Sequence, residues 1–197
     1  MKNKVIGLAA AVLLSLASPS EKVMAADKKT AIDFTTAFIF SPNYRDFVDS
    51  HYSSTTGVGG WVGVGAGITF NLDDQLSLTP GVDLFVNQLK IDYYGGYYHS
   101  SETYTNTIFL PKITGRYQFQ PDSPSPFIEA ELNYNIPGSD WFDFESGGVG
   151  CAGMLGYQFK APLRISAGYE YIPVKTGFLN TDSVNMGGFV IKAGFSF

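Results

Sequence analysis

From Val58 to Leu72 the chain reads VGGWVGVGAGITFNL. Val58, Val62, Val64, Ala66, Ile68, Phe70 and Leu72 fall on one parity, and Gly59, Trp61, Gly63, Gly65, Gly67, Thr69 and Asn71 on the other. A period of two predicts a strand with one greasy face and one small or polar face. The glycines do not fit a nucleotide loop, since no stretch of this segment satisfies G-x-G-x-x-G. The same period returns in LSLTPGVDLFV from Leu76, FLPKITGRYQF from Phe109, FIEAELNYNI from Phe127, VGCAGMLGYQF from Val149, LRISAGYEYI from Leu163 and FVIKAGFSF from Phe189. With AIDFTTAFIF from Ala31 this makes eight strands. Roughly ten residues apiece is the length with which a tilted strand crosses a bilayer.

The connections alternate in length. Long ones lie near 41–57, 88–102, 138–147 and 174–184, and short ones near 73–75, 120–126 and 160–161. In an up-and-down meander every long loop then falls at one end, the asymmetry of barrels with short periplasmic turns and long surface loops. The predicted fold is all-β: an eight-stranded antiparallel up-and-down transmembrane β-barrel.

Alternation alone fits equally a soluble barrel with a greasy inside, such as a lipocalin-like carrier. Three features select the lipid-facing form. The polar face is rich in glycine, which suits a narrow lumen that side chains must fill. Aromatics of the apolar face gather towards the strand ends as two interfacial girdles. Tyr117, Phe119, Tyr157, Phe159, Phe195 and Phe197 form the turn-end girdle, and Phe38, Phe40, Tyr104, Tyr134, Tyr169 and Tyr171 the loop-end one. Finally, the last strand runs to Phe197, a bare aromatic that lipid would cover.

The first residues add a compartment. Lys2 and Lys4 precede an apolar run from Val5 to Ala17, followed by Val23, Met24 and Ala25, the layout of a secretory signal peptide cleaved after Ala25. The run is too short to span a membrane as a helix. Residues 26–197 then form one barrel domain. Cys151 is the single cysteine, so no disulfide framework supports the fold. The net charge is −5 and only 16% of residues are charged. Nucleic acid is excluded as a partner, because the clustered Lys and Arg that phosphates need are missing.

The signal peptide, the alternating strands, FLPKITGRYQF, PFIEAELNY and the terminal AGFSF resemble the small outer-membrane β-barrel proteins, in the style of the OmpA barrel domain and OmpX. The resemblance implies residence in the bacterial outer membrane after export through the periplasm, in contact with outer-membrane lipid and lipopolysaccharide. It also implies that Phe197 is the assembly signal read by the barrel-assembly machinery.

With the apolar face outward, Asp33, Asp83, Lys112, Arg116, Glu129, Glu131, Arg164, Glu170 and Lys192 point into the lumen. Unpaired ions there are costly, so a paired network that plugs the interior is expected. The short turn after Phe119 brings Arg116 opposite Glu129 or Glu131, and closure of the last strand on the first brings Lys192 near Asp33. An ion or proton path is the alternative use of these charges.

Lipid A modification would need a histidine beside Ser and an acid. His51 has Asp49, Ser50 and Ser53 as neighbours, and His99 lies in another long loop, but no histidine follows on a late strand. The YIP at Tyr171–Pro173 faintly echoes a lipid A palmitoyltransferase. The Asp-Ser pair expected after its third strand is replaced by Asn87 and Gln88. No enzyme, cofactor or metal site is therefore assigned. Pro80 and Pro111 each remove a ladder hydrogen bond, as strain near a bulge or, less simply, as a lateral opening. Tyr93, Tyr94, Tyr97 and Tyr98 make candidate surface for an unknown extracellular ligand. Asp140, Asp143 and Glu145 lack EF-hand spacing for cations. The reading is a non-enzymatic barrel with a structural or surface-interaction role, a narrow porin-like passage for small or hydrophobic solutes being second and lipid A modification third.

Overall fold

The structure, a computed structural model, describes residues 30–44, 46, 55–57, 60–95, 98–120, 124–139, 144–160, 162–176 and 183–197. Side chains are described in these stretches except at 55–57, 89, 91–95, 98–100, 139, 144–145 and 176. Eight long strands build it: β1 Thr30–Phe40, β2 Gly60–Asn71, β3 Leu76–Gly95, β4 Tyr98–Gln118, β5 Ser125–Tyr134, β6 Val149–Gln158, β7 Leu163–Tyr171 and β8 Gly188–Ser196. Each pairs antiparallel with its neighbour in the chain, and β8 pairs with β1 to close the ring. The fold is a closed eight-stranded antiparallel meander barrel.

The closing seam runs from Asp33 opposite Ser196 to Phe40 opposite Phe189. One rung further, the Ile32 amide donates to the Phe197 carbonyl at 2.8 Å and the Phe197 amide to the Ile32 carbonyl at 2.9 Å. The Phe197 ring stands edge-on to Phe34, centroids 6.5 Å apart. Phe197 therefore ends the ladder that shuts the barrel.

Parity divides the side chains as the sequence alternation requires. Val62 is 60% exposed and Leu155 70%, with Val64, Ile68, Leu84, Ile113 and Ile191 also outside, while Asp83 is 1% and Glu170 0% exposed. Among the described residues, the charged groups outside the lumen lie at the two ends: Asp73, Asp74 and Lys160 at the turns, Asp46, Lys90, Glu102 and Lys175 beyond the opposite rim. An uninterrupted apolar belt of this size has to be covered, and hydrocarbon is what its charge-free band fits. Edge-on ring pairs mark its borders, Tyr117 with Phe119 and Tyr157 with Phe159 at the turn end and Tyr169 with Phe189 at the other.

Three expectations change. Tyr104 does not join the outer girdle. Strand β4 continues unbroken through it, so it shares the inward parity of Asn106, Ile108 and Leu110. It packs on the interior apolar cluster and donates its hydroxyl to Glu102. The segment 88–102 is not a loop but the upper part of a hairpin, registered from Leu89 opposite Tyr104 to Gly95 opposite Tyr98. Thr, Tyr and Ile favour the pleat and Gly95 the reversal, so pairing continues beyond the rim. The strand Thr55–Gly57 adds to one side of this hairpin and Ile136–Ser139 to the other, while Phe144–Ser146, Pro173–Thr176 and Val184–Asn185 form a small separate sheet. Nor is there a bulge at Pro80. The β2–β3 ladder pairs Gly67 with Gly81 and resumes in the same register at Phe70 with Leu78. A Thr69–Thr79 hydroxyl hydrogen bond of 2.8 Å lies across the gap.

The inward glycines are sockets for inward side chains from neighbouring strands. A Cβ on Gly63 would strike the Phe85 ring, one on Gly156 the Phe127 ring, and one on Gly194 the Arg164 guanidinium. Overpacking of this kind costs about 1–3 kcal/mol. Gly194→Ala should lower the urea unfolding midpoint of the refolded barrel by that order, because the ion pair with Asp33 prevents Arg164 from yielding. Gly153→Ala, whose Cβ meets nothing within 4 Å, should leave the midpoint unchanged.

Candidate functional site in the barrel lumen

The inward carboxylates and cations form two clusters stacked along the barrel. At the turn end, Arg164 Nη2 on β7 donates to both Asp33 oxygens on β1, at 2.7 and 2.6 Å, and its Nη1 donates to Ser196 Oγ at 2.9 Å. Arg116 Nε donates to Glu129 Oε1 at 2.8 Å, and Arg116 Nη2 lies 3.6 Å from Asp33. Beneath them the Arg116 guanidinium sits 5.3 Å over the Phe127 ring, a cation–π contact that closes this end. The cross-strand register brings Arg116 directly opposite Glu129. The other contacts reach across the lumen.

Nearer the loops, Lys112 Nζ donates to Asp83 Oδ2 at 2.6 Å and Glu131 Oε2 at 3.2 Å. Lys192 Nζ donates to the same two oxygens at 3.3 and 3.1 Å and lies 3.4 Å from Glu170 Oε2. Thr114 serves Glu131 at 3.2 Å, and Asn133 Nδ2 is shared between Glu131 and Glu170 at 3.4 and 3.3 Å. All nine charged residues are thus gathered inside, none of their side chains more than 10% exposed. Lys192 does not pair with Asp33. Its rung partner on β1 is Ala37, four rungs above Asp33, so it turns to Asp83, Glu131 and Glu170, and Arg164 takes Asp33 instead.

Above the ions the lumen is apolar. Ile39, Trp61, Phe85, Ile108, Leu110, Ile172, Val174, Met186 and Val190 are fully or almost fully buried and form one cluster. The turn after β1 folds back into this mouth. Tyr44 packs on Trp61, ring centroids 5.3 Å apart, and its hydroxyl accepts a 2.9 Å hydrogen bond from Asn106 Nδ2. Burial pushes the Tyr44 phenol well above the usual tyrosine range, so it stays neutral at any physiological pH. This cluster is absent from the sequence reading. Its signal was the placing of Trp61 and Phe85 on the glycine-bearing parity.

Between the ionic groups Asp33, Arg116, Glu129, Arg164, Lys112 and Lys192 lies a cavity of about 20 Å³. That is room for about one water molecule. Among the described residues no group of His, Cys, Asp and Glu is arranged to hold a metal ion. The sequence candidates Asp49, Ser50, His51, Ser53, Tyr97, Asp140 and Asp143 lie outside the described residues, as does the segment 1–25. The side chains of Tyr93, Tyr94, Tyr98, His99 and Glu145 do so too. By backbone register Tyr94 stands opposite His99 and Tyr93 opposite Ser100 at the hairpin tip.

Among solved structures the chain is similar to the outer membrane protein OprG from Pseudomonas aeruginosa, with 16% identity, a TM-score of 0.50, and 86% of this chain and 96% of that one covered. The chain has the fold of an outer-membrane β-barrel. A second similar structure is Ail, the attachment invasion locus protein of Yersinia pestis, solved with the heparin analogue sucrose octasulfate, at 12% identity, a TM-score of 0.38 and coverage of 86% and 98%. No family model and no curated protein matches the chain. The likeness is one of fold, and the barrel's chemistry has to be argued from its own side chains.

Removing one partner of a buried pair leaves an uncompensated charge and costs about 3–5 kcal/mol, whereas replacing both with apolar groups is often neutral. Arg164→Ala should therefore destabilise the barrel by that order in urea titration. Adding Asp33→Leu to Arg164→Met should recover most of the loss.

Proposed function

We propose that this chain is an integral protein of the bacterial outer membrane with a non-enzymatic role, a rigid plugged barrel that acts through what it presents beyond the loop-end rim. Segment 1–25 directs export and is removed after Ala25. The remainder crosses the periplasm, and the barrel-assembly machinery reads the terminal strand ending at Phe197. Acyl chains and lipopolysaccharide then surround the apolar belt.

The observation that carries this reading is the filling of the lumen along its length. Phe127 under Arg116 occupies the turn end, two ion-pair layers the middle, and the apolar cluster under Tyr44 the loop end. A solute passing through would have to separate buried ion pairs and displace fully buried aromatics, each costing several kcal/mol. Surface is then what is left for function. The β3–β4 hairpin, raised beyond the rim and bearing Tyr93, Tyr94 and Tyr98 near its tip, is the proposed contact with an extracellular ligand, with Tyr97 of the same sequence stretch as a further candidate. Tyrosines lose little entropy on binding and present large amphipathic faces.

The refolded protein in a planar bilayer should give no single-channel steps; sustained steps would refute the plugged lumen. The same preparation should migrate faster on a gel unboiled than boiled, since heat is needed to open a closed hydrogen-bond ring. Cells making the wild type or His51→Ala should yield lipid A of identical mass, and a mass difference between them would replace this reading with an enzymatic one.

A further inference from the structure

We propose that Glu170 is a proton-binding site: its carboxyl is held as the neutral acid, and that proton balances the charge of the ionic cluster nearer the loops.

The two clusters differ in their charge count. Around the turn end, Asp33 and Glu129 face Arg116 and Arg164, two against two. Above them, Asp83, Glu131 and Glu170 face only Lys112 and Lys192, three against two. Groups buried this deeply are shut off from bulk solvent, and an uncompensated buried charge is neutralised by whatever can reach it. The smallest such species is a proton.

The hydrogen bonds show which carboxyl holds it. Asp83 receives Lys112, Lys192 and Thr35, and Glu131 receives both lysines, Thr114 and Asn133. Glu170 receives one neutral donor, Asn133 Nδ2 on Oε1, while its Oε2 has no hydrogen bond although the residue is fully buried. Its rung neighbours are Ala152 on β6 and Gly188 on β8, which bring no polar group. The charged groups facing it are Lys192 from β8, Glu131 from β5, Asp83 from β3 and Lys112 from β4, whereas β1 and β6 present Ala37, Ile39, Ala152 and Met154. Lys192, its nearest cation, is already divided between Asp83 and Glu131. Asn133 Oδ1 is a second buried acceptor without a donor. The pair Glu170–Asn133 therefore holds two acceptors that receive no hydrogen bond, Oε2 having only the 3.4 Å approach of Lys192 Nζ, and an O–H on Glu170 is the donor it lacks.

The test is infrared spectroscopy of the refolded barrel in detergent at neutral pH. A protonated-carboxyl carbonyl band should appear above the amide I region and shift on exchange into D₂O. It should be missing from Glu170→Gln, which keeps the neutral shape and should refold to the same heat-modifiable barrel. Absence of the band in the folded wild type, or its survival in Glu170→Gln, overturns the proposal. Should Glu170→Gln not refold, ¹³C-labelled glutamate makes the assignment in the wild type: a band that the label does not move belongs to no glutamate, and the proposal fails. Either failure leaves the conductance result, and the plugged-barrel reading with it, untouched.

Discussion

Closure of the hydrogen-bond ladder between the first and last strands is the constraint from which the rest follows. An open sheet edge in hydrocarbon strands a row of amides and carbonyls, each costing several kcal/mol, so a spanning sheet has to meet itself. Here it does so from Ile32 opposite Phe197 up to Phe40 opposite Phe189. Because side chains alternate, a slip of one residue at this seam would turn one of the two strands over, sending Asp33 towards the acyl chains and Phe34 into the lumen, or Lys192 and Ile191 likewise. Register and orientation are thus a single decision, and the ion pairs enforce it. Arg164 on β7 grips Asp33 on β1 across β8, so the seam is held from inside as well as along its backbone.

The lumen is filled by two kinds of matter, divided near Glu170. On the turn side, long charged side chains occupy space that glycines on adjacent strands vacate, as Gly194 does for Arg164 and Gly65 for Asp83. Each charge has to be matched there, because desolvation exceeds what an unmatched ion recovers. On the loop side, Phe85 in the hollow of Gly63 and the neighbouring Ile108 and Leu110 need no matching and gain from burial alone. The ionic half fixes which strand faces which. The apolar half seals the end that looks towards the loops.

Period-two alternation made all eight strands, the outward face and the gathering of the nine charges legible in the sequence, since each depends only on parity. What it did not reveal depends on distance across the lumen. Arg116 opposite Glu129 could be read from a short turn, but whether Lys192 meets Asp33 or Glu170 is decided by barrel stagger, which no local pattern encodes. The inward side of Tyr104 is hidden for a related reason: the alternation is clear only from Phe109 on, and only the unbroken ladder carries that parity upward through Thr107 and Asn106. The apolar cluster under the mouth escaped because part of it comes from Ile172, Val174 and Met186, residues beyond the barrel strands whose inward turn is a tertiary event.

The extended hairpin joins this interior to what happens outside. Strands β3 and β4 run without a break from the short turns to Gly95 and Tyr98, so the projecting part shares its backbone ladder with the part in the membrane. Asn87 and Asn106, the last polar pair inside the rim, face each other on that ladder, and Asn106 also anchors Tyr44. A force or ligand at the tip therefore acts on a lever whose base is clamped between Phe85, Ile108 and the ion pairs of Asp83 and Lys112. Packed cores of this density deform little. A surface mounted on such a base keeps its geometry, which lowers the ordering cost of recognition and suits presentation better than transport.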